Sequence, residues 1–386
     1  MIVKLKDIGK IITGNTPSKK EESYWSSNDI CFVKPDLISE NGISIIEDSN
    51  EYISEAARSK ARVVSKDTVF ITCIGSIGKV GIAGEGDYAF NQQINAIVPN
   101  DRIEPRYLAY ALLRAKSRLD DIANAPVVPI INKSQFGEFS INIEEDRIVQ
   151  SEIVLILDKL GKIIKKREEE LKILDDLIKA RFVEMFGDPV SNPRRWGKKM
   201  LVDVCIKLND GTHFSPNSFE TGEYKYITAK NIKPWGFDFS NITYVPESVH
   251  RPIYERCNPE KGDVLYIKDG VTTGIAMVNT LDEEFTLLSS VALLKQDREL
   301  MNGHFLCGVL NNDEMYSDIR RNMGGAAITR LTIAKLNGIM VIVPPIGIQE
   351  TYAAFVAQVD KSKAAVRKSL DENQKLFDSL MQQYFA

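Results

Sequence analysis

Hydrophobic and polar positions along this chain follow two different rhythms. From the start to about residue 145, short β-type runs are punctuated by Gly, Asn, Asp and Pro. Strands are expected over Ile30 to Val33, Thr68 to Cys73, Ala89 to Val98 and Phe139 to Ile143, with a helix from Pro105 to Arg118. Near Glu144 the period changes. Ile153, Leu157, Leu160, Ile164, Arg167, Leu171, Leu174 and Ile178 recur in alternating steps of four and three, the seam of a coiled coil. A run such as Lys165-Lys166-Arg167-Glu168-Glu169-Glu170 supplies the charged flanks.

Phe186-Gly187-Asp188-Pro189 ends that helix, since glycine caps it and proline cannot continue it. Strand-type runs then return: Tyr224 to Ala229, Val264 to Lys268, Leu287 to Lys295 and Gly338 to Val343. After Pro344-Pro345 a second seam follows at Tyr352, Val356, Val359, Lys363, Val366, Leu370, Asn373, Phe377, Leu380 and Tyr384. Lys363 and Asn373 are the kind of polar seam insertion that fixes register and partner number. The expected segments are a globular domain over 1–145, a helix over 146–186, a linker over 187–200, a second globular domain over 201–345 and a helix over 346–386. The class is α+β.

The two halves repeat one another. Leu5-Lys6-Asp7-Ile8 returns as Leu201-Val202-Asp203-Val204, and Phe32-Val33-Lys34-Pro35 as Tyr226-Ile227-Thr228-Ala229. Lys66-Asp67-Thr68-Val69-Phe70-Ile71 returns as Gly262-Asp263-Val264-Leu265-Tyr266-Ile267. Connectivity makes an antiparallel pairing of the two helices the simplest course, with the halves related by an approximate two-fold axis. A helix of this length spans roughly 60 Å. Two sites on such a spacer match half-sites on one face of B-DNA, which recur about every 34–36 Å.

Composition narrows the chemistry. With 386 residues and 44% apolar content the chain can build two or three ordinary cores. No apolar run approaches membrane-spanning length and the N-terminus lacks a signal-peptide layout, so a cytoplasmic protein is expected. Five scattered cysteines argue against a disulfide framework, and three distant histidines against a His-based metal site. A net charge of −4 weighs against a free-standing nucleic-acid binder. Basic residues can nevertheless gather on one face, and a partner can supply the rest of the affinity.

Catalytic motifs fail on inspection. Cys73-Ile74-Gly75-Ser76-Ile77-Gly78-Lys79-Val80 lacks the first Gly and the closing Ser or Thr of a phosphate loop, and reads as a tight β-turn. Val343-Pro344-Pro345-Ile346 lacks the Asn or Asp and the aromatic residue of an amino-methyltransferase element. No bound cofactor and no chemistry by this chain alone are expected.

Material for reading DNA is present instead. Asn91-Gln92-Gln93-Ile94-Asn95 is expected on a strand, with Gln93 and Asn95 on one face and Gln92 on the other. Such amides can bond adenine bidentately in the major groove. The matching place in the second half is Leu288-Ser289-Ser290-Val291, and Asn132-Lys133 aligns with Thr332-Ile333 after Arg330-Leu331. Thr212 and His213 stand where the first half has Asn15 and Thr16. Candidate base or groove contacts are therefore Gln92, Gln93, Asn95, Asn132, Thr212, His213, Ser289 and Ser290. Candidate phosphate contacts are Lys19, Lys20, Lys34, Lys79, Lys133, Lys230, Lys268 and Arg330.

Arg181-Phe182-Val183-Glu184-Met185-Phe186-Gly187-Asp188-Pro189, followed by Asn192-Pro193 and Trp196, resembles the central landmark of type I restriction-modification specificity subunits. The Leu-x-Asp-Ile openings, the Gly14-Asn15-Thr16-Pro17 turn and Ile348-Gln349-Glu350 agree with it, and the resemblance covers essentially the whole chain. It implies two target-recognition domains, each reading half of a split site in double-stranded DNA, spaced by paired helices. It implies docking of methyltransferase subunits that carry S-adenosylmethionine, and of restriction/translocase subunits. No membrane role follows. The competing expectation is a coiled-coil protein–protein scaffold that reads no DNA; a small-molecule enzyme built on Gly75 to Gly81 is a more remote one.

Overall fold

The computed structural model describes residues 1–123, 128–321, 323 and 330–386. They form two compact units, Met1–Glu168 with Lys368–Ala386, and Glu169–Arg367.

The first unit is built on a five-stranded sheet in the order Gly9–Thr13, Ile94–Pro99, Val69–Thr72, Val80–Ala83, Ile43–Ile46. Its neighbours are antiparallel except the last pair, which runs parallel. Helix Pro105–Arg114 covers it, burying Tyr107, Leu108 and Leu112 in the same core as Val69, Ile71, Val80 and Ile82. Glu104 accepts the Tyr107 amide and Pro105 stands in the first turn, so the helix start is locally encoded. The sequence predicts one helix to Arg118; the structure ends it at Arg114 and starts another over Lys116–Ile122. The break lies at Ala115, whose amide turns to both Ala111 and Leu113 carbonyls.

A second sheet has the order Tyr52–Ile53, Ile30–Val33, Asp87–Phe90, Val63–Ser65. The predicted strand Ala89 to Val98 is thus two strands in two sheets, Asp87–Phe90 and Ile94–Pro99. Between them Asn91 accepts the Gln93 amide on its side chain (3.1 Å) and the Ile94 amide on its carbonyl (3.2 Å), which makes a turn. Glycines Gly75 and Gly78, both at positive φ, close the hairpin between Val69–Thr72 and Val80–Ala83, as the tight-turn reading requires.

The second unit repeats this plan. Its main sheet runs Cys205–Asp210, Val291–Gln296, Val264–Ile267, Ala276–Val278, and its smaller sheet Thr243–Val245, Tyr224–Ile227, Phe285–Leu287. Leu287 to Lys295, predicted as one strand, is divided at Leu288-Ser289-Ser290 just as its counterpart is divided at Asn91-Gln92-Gln93. Gly14 and Gly211 occupy the same place in each unit. A Cβ there would collide with the carbonyls of Phe90 and Asn91, or of Leu287, so no other residue fits this close approach.

Arg147–Phe186 and Ile346–Phe385 are single helices of 40 residues each. All the seam positions named above are buried or half-buried. In the second unit Phe182 packs edge-on to Tyr352 with ring centroids 5.6 Å apart, while Asp175 meets Lys363 at 2.6 Å, so the helices run antiparallel there. In the first unit Ile153, Val154 and Leu157 share a core with Met381 and Phe385. Gly187 at φ 76° ends the first long helix, and the Trp196 indole donates to the Phe186 carbonyl at 3.0 Å.

Candidate nucleic-acid interface

Within the first unit, the break between Asp87–Phe90 and Ile94–Pro99 gathers several candidates. The Cys73 amide donates to the Gln93 carbonyl (2.7 Å), and the Ile131 amide to the Cys73 carbonyl (2.9 Å), which brings Asn132 and Lys133 to the same edge. Gln92 is exposed and accepts the Thr16 hydroxyl at 3.0 Å; Gln93 is half-buried and accepts from the Asn91 amide nitrogen at 2.8 Å. The alternation expected for a strand fails here because the segment is a turn. Asn95 is buried and accepts the Thr13 hydroxyl at 2.6 Å, so it joins two strands rather than facing a base. Asn132 forms a capping box with Gln135 at the start of helix Lys133–Glu138.

The basic candidates divide by partner. Lys34 pairs with Glu51, as does Lys19 at 3.6 Å, and the Lys34 hydrogen bond leads the causes that hold the Glu51 carboxyl below its usual range. Lys19 also stands over the Trp25 ring. Lys79 is largely covered and bonded to Glu40 at 2.8 Å. Lys20 and Lys133 are exposed, with no acidic partner among the described residues.

In the second unit all seven candidates come together. Ser289 donates its amide to the Thr212 carbonyl (2.8 Å), Lys268 its amide to the Ser290 carbonyl (2.9 Å), and Leu331 its amide to the Lys268 carbonyl (2.8 Å). The Ser290 hydroxyl accepts the Ala229 amide at 3.2 Å, placing exposed Lys230 alongside. The Lys268 to Ser290 and Leu331 to Lys268 bonds repeat those of Cys73 to Gln93 and Ile131 to Cys73 in the first unit. Thr212 to Leu287 matches Asn15 to Phe90, and the bridge between Asp269 and Arg330 matches that between Ile74 and Ile130.

The frame is shared but the side chains differ in kind. Where the first unit has Cys73, Ile74 and Ile130, the second has Lys268, Asp269 and Arg330. Lys268 is 1% exposed, so it is not the surface phosphate contact that its position at a strand end suggests. Its ammonium lies 3.3 Å from Asp210 and 3.1 Å from Asp269. Asp210, also buried, faces His213 at 3.1 Å and Arg256 at 3.6 Å; Asp269 faces Arg330 at 3.3 Å. Two carboxylates thus stand against three permanent cations, leaving the cluster positive. A buried charge survives only when paired, and this network pairs each one. Sequence reasoning missed Asp210, Asp269 and Arg256. Asp269 adjoins a candidate and was findable; Asp210 and Arg256 are brought in only by the fold.

The buried thiols are not poised for chemistry. Burial pushes the Cys73, Cys205 and Cys257 thiols up to about 12, far from a reactive thiolate. Among the described residues no group of three His, Cys, Asp or Glu could hold a metal ion, and no helix is long and apolar enough to cross a membrane.

Solved structures share this architecture. A type I restriction-modification S subunit from M. genitalium matches all of this chain and 96% of its own, with TM-score 0.61 at 16% identity. A chain from a study of complex assembly and conformational transition of the type I R-M system matches all of this chain and 97% of its own, at TM-score 0.55 and 17% identity. The chain belongs to the type I restriction modification DNA specificity domain family, whose model matches twice, over residues 1–173 and 193–374. The type I restriction enzyme MjaIX specificity subunit of Methanocaldococcus jannaschii is 23% identical over 98% of this chain and 91% of its own length. The HindI specificity subunit of Haemophilus influenzae is 28% identical over 44% of this chain and 38% of its own.

Proposed function

We infer that this protein is the non-catalytic sequence-reading subunit of a type I restriction-modification enzyme, binding a bipartite, asymmetric duplex site. The observation that carries the reading is the repeated backbone frame bearing different polar groups in the two units. Gln92 and Gln93 in one correspond to Ser289 and Ser290 in the other, and Ile130 corresponds to Arg330. One frame with two side-chain sets suits two different half-sites, because base edges are read by side chains while backbone and basic residues hold register.

The subunit docks methyltransferase subunits, which supply S-adenosylmethionine, and restriction/translocase subunits, and works in the cytoplasm. Of the sequence candidates, Gln92, Gln93, His213, Ser289 and Ser290 are retained as groove contacts, and Lys20, Lys133 and Lys230 as phosphate contacts; Thr212, expected at the surface from its turn, is buried instead and faces no groove. Asn95 and Lys268 act from within the fold. The test is binding of the complex with its methyltransferase subunits to a library of duplexes, with methylated bases mapped in a host genome. One asymmetric split word is expected; equal affinity for every duplex would overturn the reading, and loss of salt-dependent DNA binding altogether would favour a scaffold.

A further inference from the structure

Arg330 lies at the edge of the cluster around Lys268, its side chain 56% exposed while Asp269 beside it is 21% exposed. The Arg330 Nε is 3.3 Å from Asp269 Oδ1, and that carboxylate is tied from behind by Lys268 at 3.1 Å. Lys268 is anchored in turn by the buried carboxylate of Asp210. The guanidinium is therefore oriented through its Nε edge, and no other partner holds its two terminal nitrogens among the described residues. Asp269 Oδ1 is itself buried without a hydrogen-bond donor, so the contact is an ion pair that aims the arginine without locking it.

An exposed phosphate contact needs no such support. Lys230 in the same unit is a simple exposed cation and serves that purpose. The apolar Ile74 and Ile130 at the matching bridge of the first unit show that the frame does not require an ion pair here. Three buried or half-buried charges arranged behind one exposed guanidinium are the arrangement expected where direction matters. A planar fork of two N–H groups matches guanine O6 and N7 in the major groove.

Resting on the DNA-reading function above, we propose that Arg330 is a specificity-determining residue that reads a guanine in the half-site bound by the second unit. Asp269 is its positioning residue. Ser289 and Ser290, held to the same edge by backbone bonds, serve the adjacent base pairs.

The experiment uses the complex of this chain with its methyltransferase subunits, for the wild type, Arg330→Lys, Arg330→Gln and Asp269→Asn. Affinity is measured for the mapped word and for every single-base change in it, and methylated words are mapped in cells. Arg330→Lys keeps the charge and loses the fork. It is expected to cut discrimination against replacement of one G·C pair by roughly 5- to 150-fold while binding to other sequences barely changes. Arg330→Gln relaxes or changes the base at that same position, and Asp269→Asn weakens discrimination there alone. The proposal is overturned if folded Arg330→Lys and Arg330→Gln complexes methylate the unchanged word. It is equally overturned if Arg330→Gln weakens all duplexes alike and lowers the salt slope by about one, the mark of a phosphate contact. A wild-type complex without any sequence preference would instead overturn the function on which the proposal rests.

Discussion

Gln150 and Gln349 are equivalent residues, each fully buried one turn into its long helix and each making the same three hydrogen bonds. Gln150 donates to the carbonyls of Arg102 (3.1 Å) and Glu144 (2.7 Å) and accepts the Glu104 amide (2.7 Å). Gln349 donates to Leu300 (3.0 Å) and Pro344 (2.8 Å) and accepts the Asn302 amide (2.9 Å). One amide thus joins the helix start, the preceding connector and the loop before a core helix.

Replacing Gln349 by Ala leaves two carbonyls and one amide without partners in a dry site. About 1–3 kcal/mol is lost for each group that water does not reach, so the second unit is expected to unfold at lower urea. Gln150→Ala does the same to the first. Chemical denaturation followed by circular dichroism checks both; an unchanged midpoint would show that water replaces the side chain.

Lys268→Met removes the buried cation and leaves Asp210 and Asp269 facing each other's charge. A loss of about 3–5 kcal/mol is expected, the range for breaking a buried pair. Asp210→Asn added to Lys268→Met should recover part of that loss. No recovery in the double-variant denaturation curve would mean the two side chains are not coupled.

His250 is buried, stacked on Tyr224 at 3.8 Å and bonded to Thr286 (2.8 Å) and Glu284 (3.2 Å). Burial lowers its pKa from 6.5, and Glu284 opposes that shift less strongly. The neutral ring is the folded form, so below about 6.5 the unfolded chain takes up a proton that the folded one resists. Stability should therefore fall as pH drops through about 6.5 towards the lower folded value. His304, also lowered by burial, acts in the same direction. His250→Gln should flatten this slope in urea titrations at several pH values; an unaltered slope would assign the effect elsewhere.

Seven residues inserted in Arg147–Phe186 alone should destabilise the chain, since partners such as Asp175 and Lys363 lose register. Matched insertions in both long helices should restore folding and lengthen the gap in the methylated word. Mapping that word for the matched variant decides the matter, and an unchanged gap would show that the helices do not set it.

Gly211→Ala places a Cβ against the Leu287 carbonyl, and Gly14→Ala does so against Phe90 and Asn91. Each should cost about 1–3 kcal/mol, because overpacking against backbone forces two strands apart. Thermal melts of the single variants test this.

Long-range periodicity made the helices legible: every seam position from Ile153 to Ile178 lies on the covered face. The repeat was legible too, down to the Gly14 and Gly211 turns. The strand breaks were not, because Ala89-Phe90 and Ile94 flank the turn with β-type residues and the run reads as continuous. The polar trio Asn91-Gln92-Gln93 was the available signal, but a turn and a polar strand face share that composition. Lys268 was misplaced for a different reason. Its burial depends on Asp210, a partner remote in sequence, and a lysine alone does not announce a partner. The Lys363 seam position fared better, since a buried lysine within a heptad must find a carboxylate, and Asp175 and Asp360 provide it.

The interrupted strand has an evolutionary consequence. Gln92-Gln93 and Ser289-Ser290 lie at turns outside the apolar cores, held by main-chain bonds as well as by local side-chain ones, so exchanging their side chains disturbs no core packing. On the DNA-reading function proposed above, new recognition words arise by exchange at a few such positions, with the apolar interior left untouched. Two copies of the frame within one chain can then drift apart independently, and a single gene acquires a vocabulary larger than either half could supply.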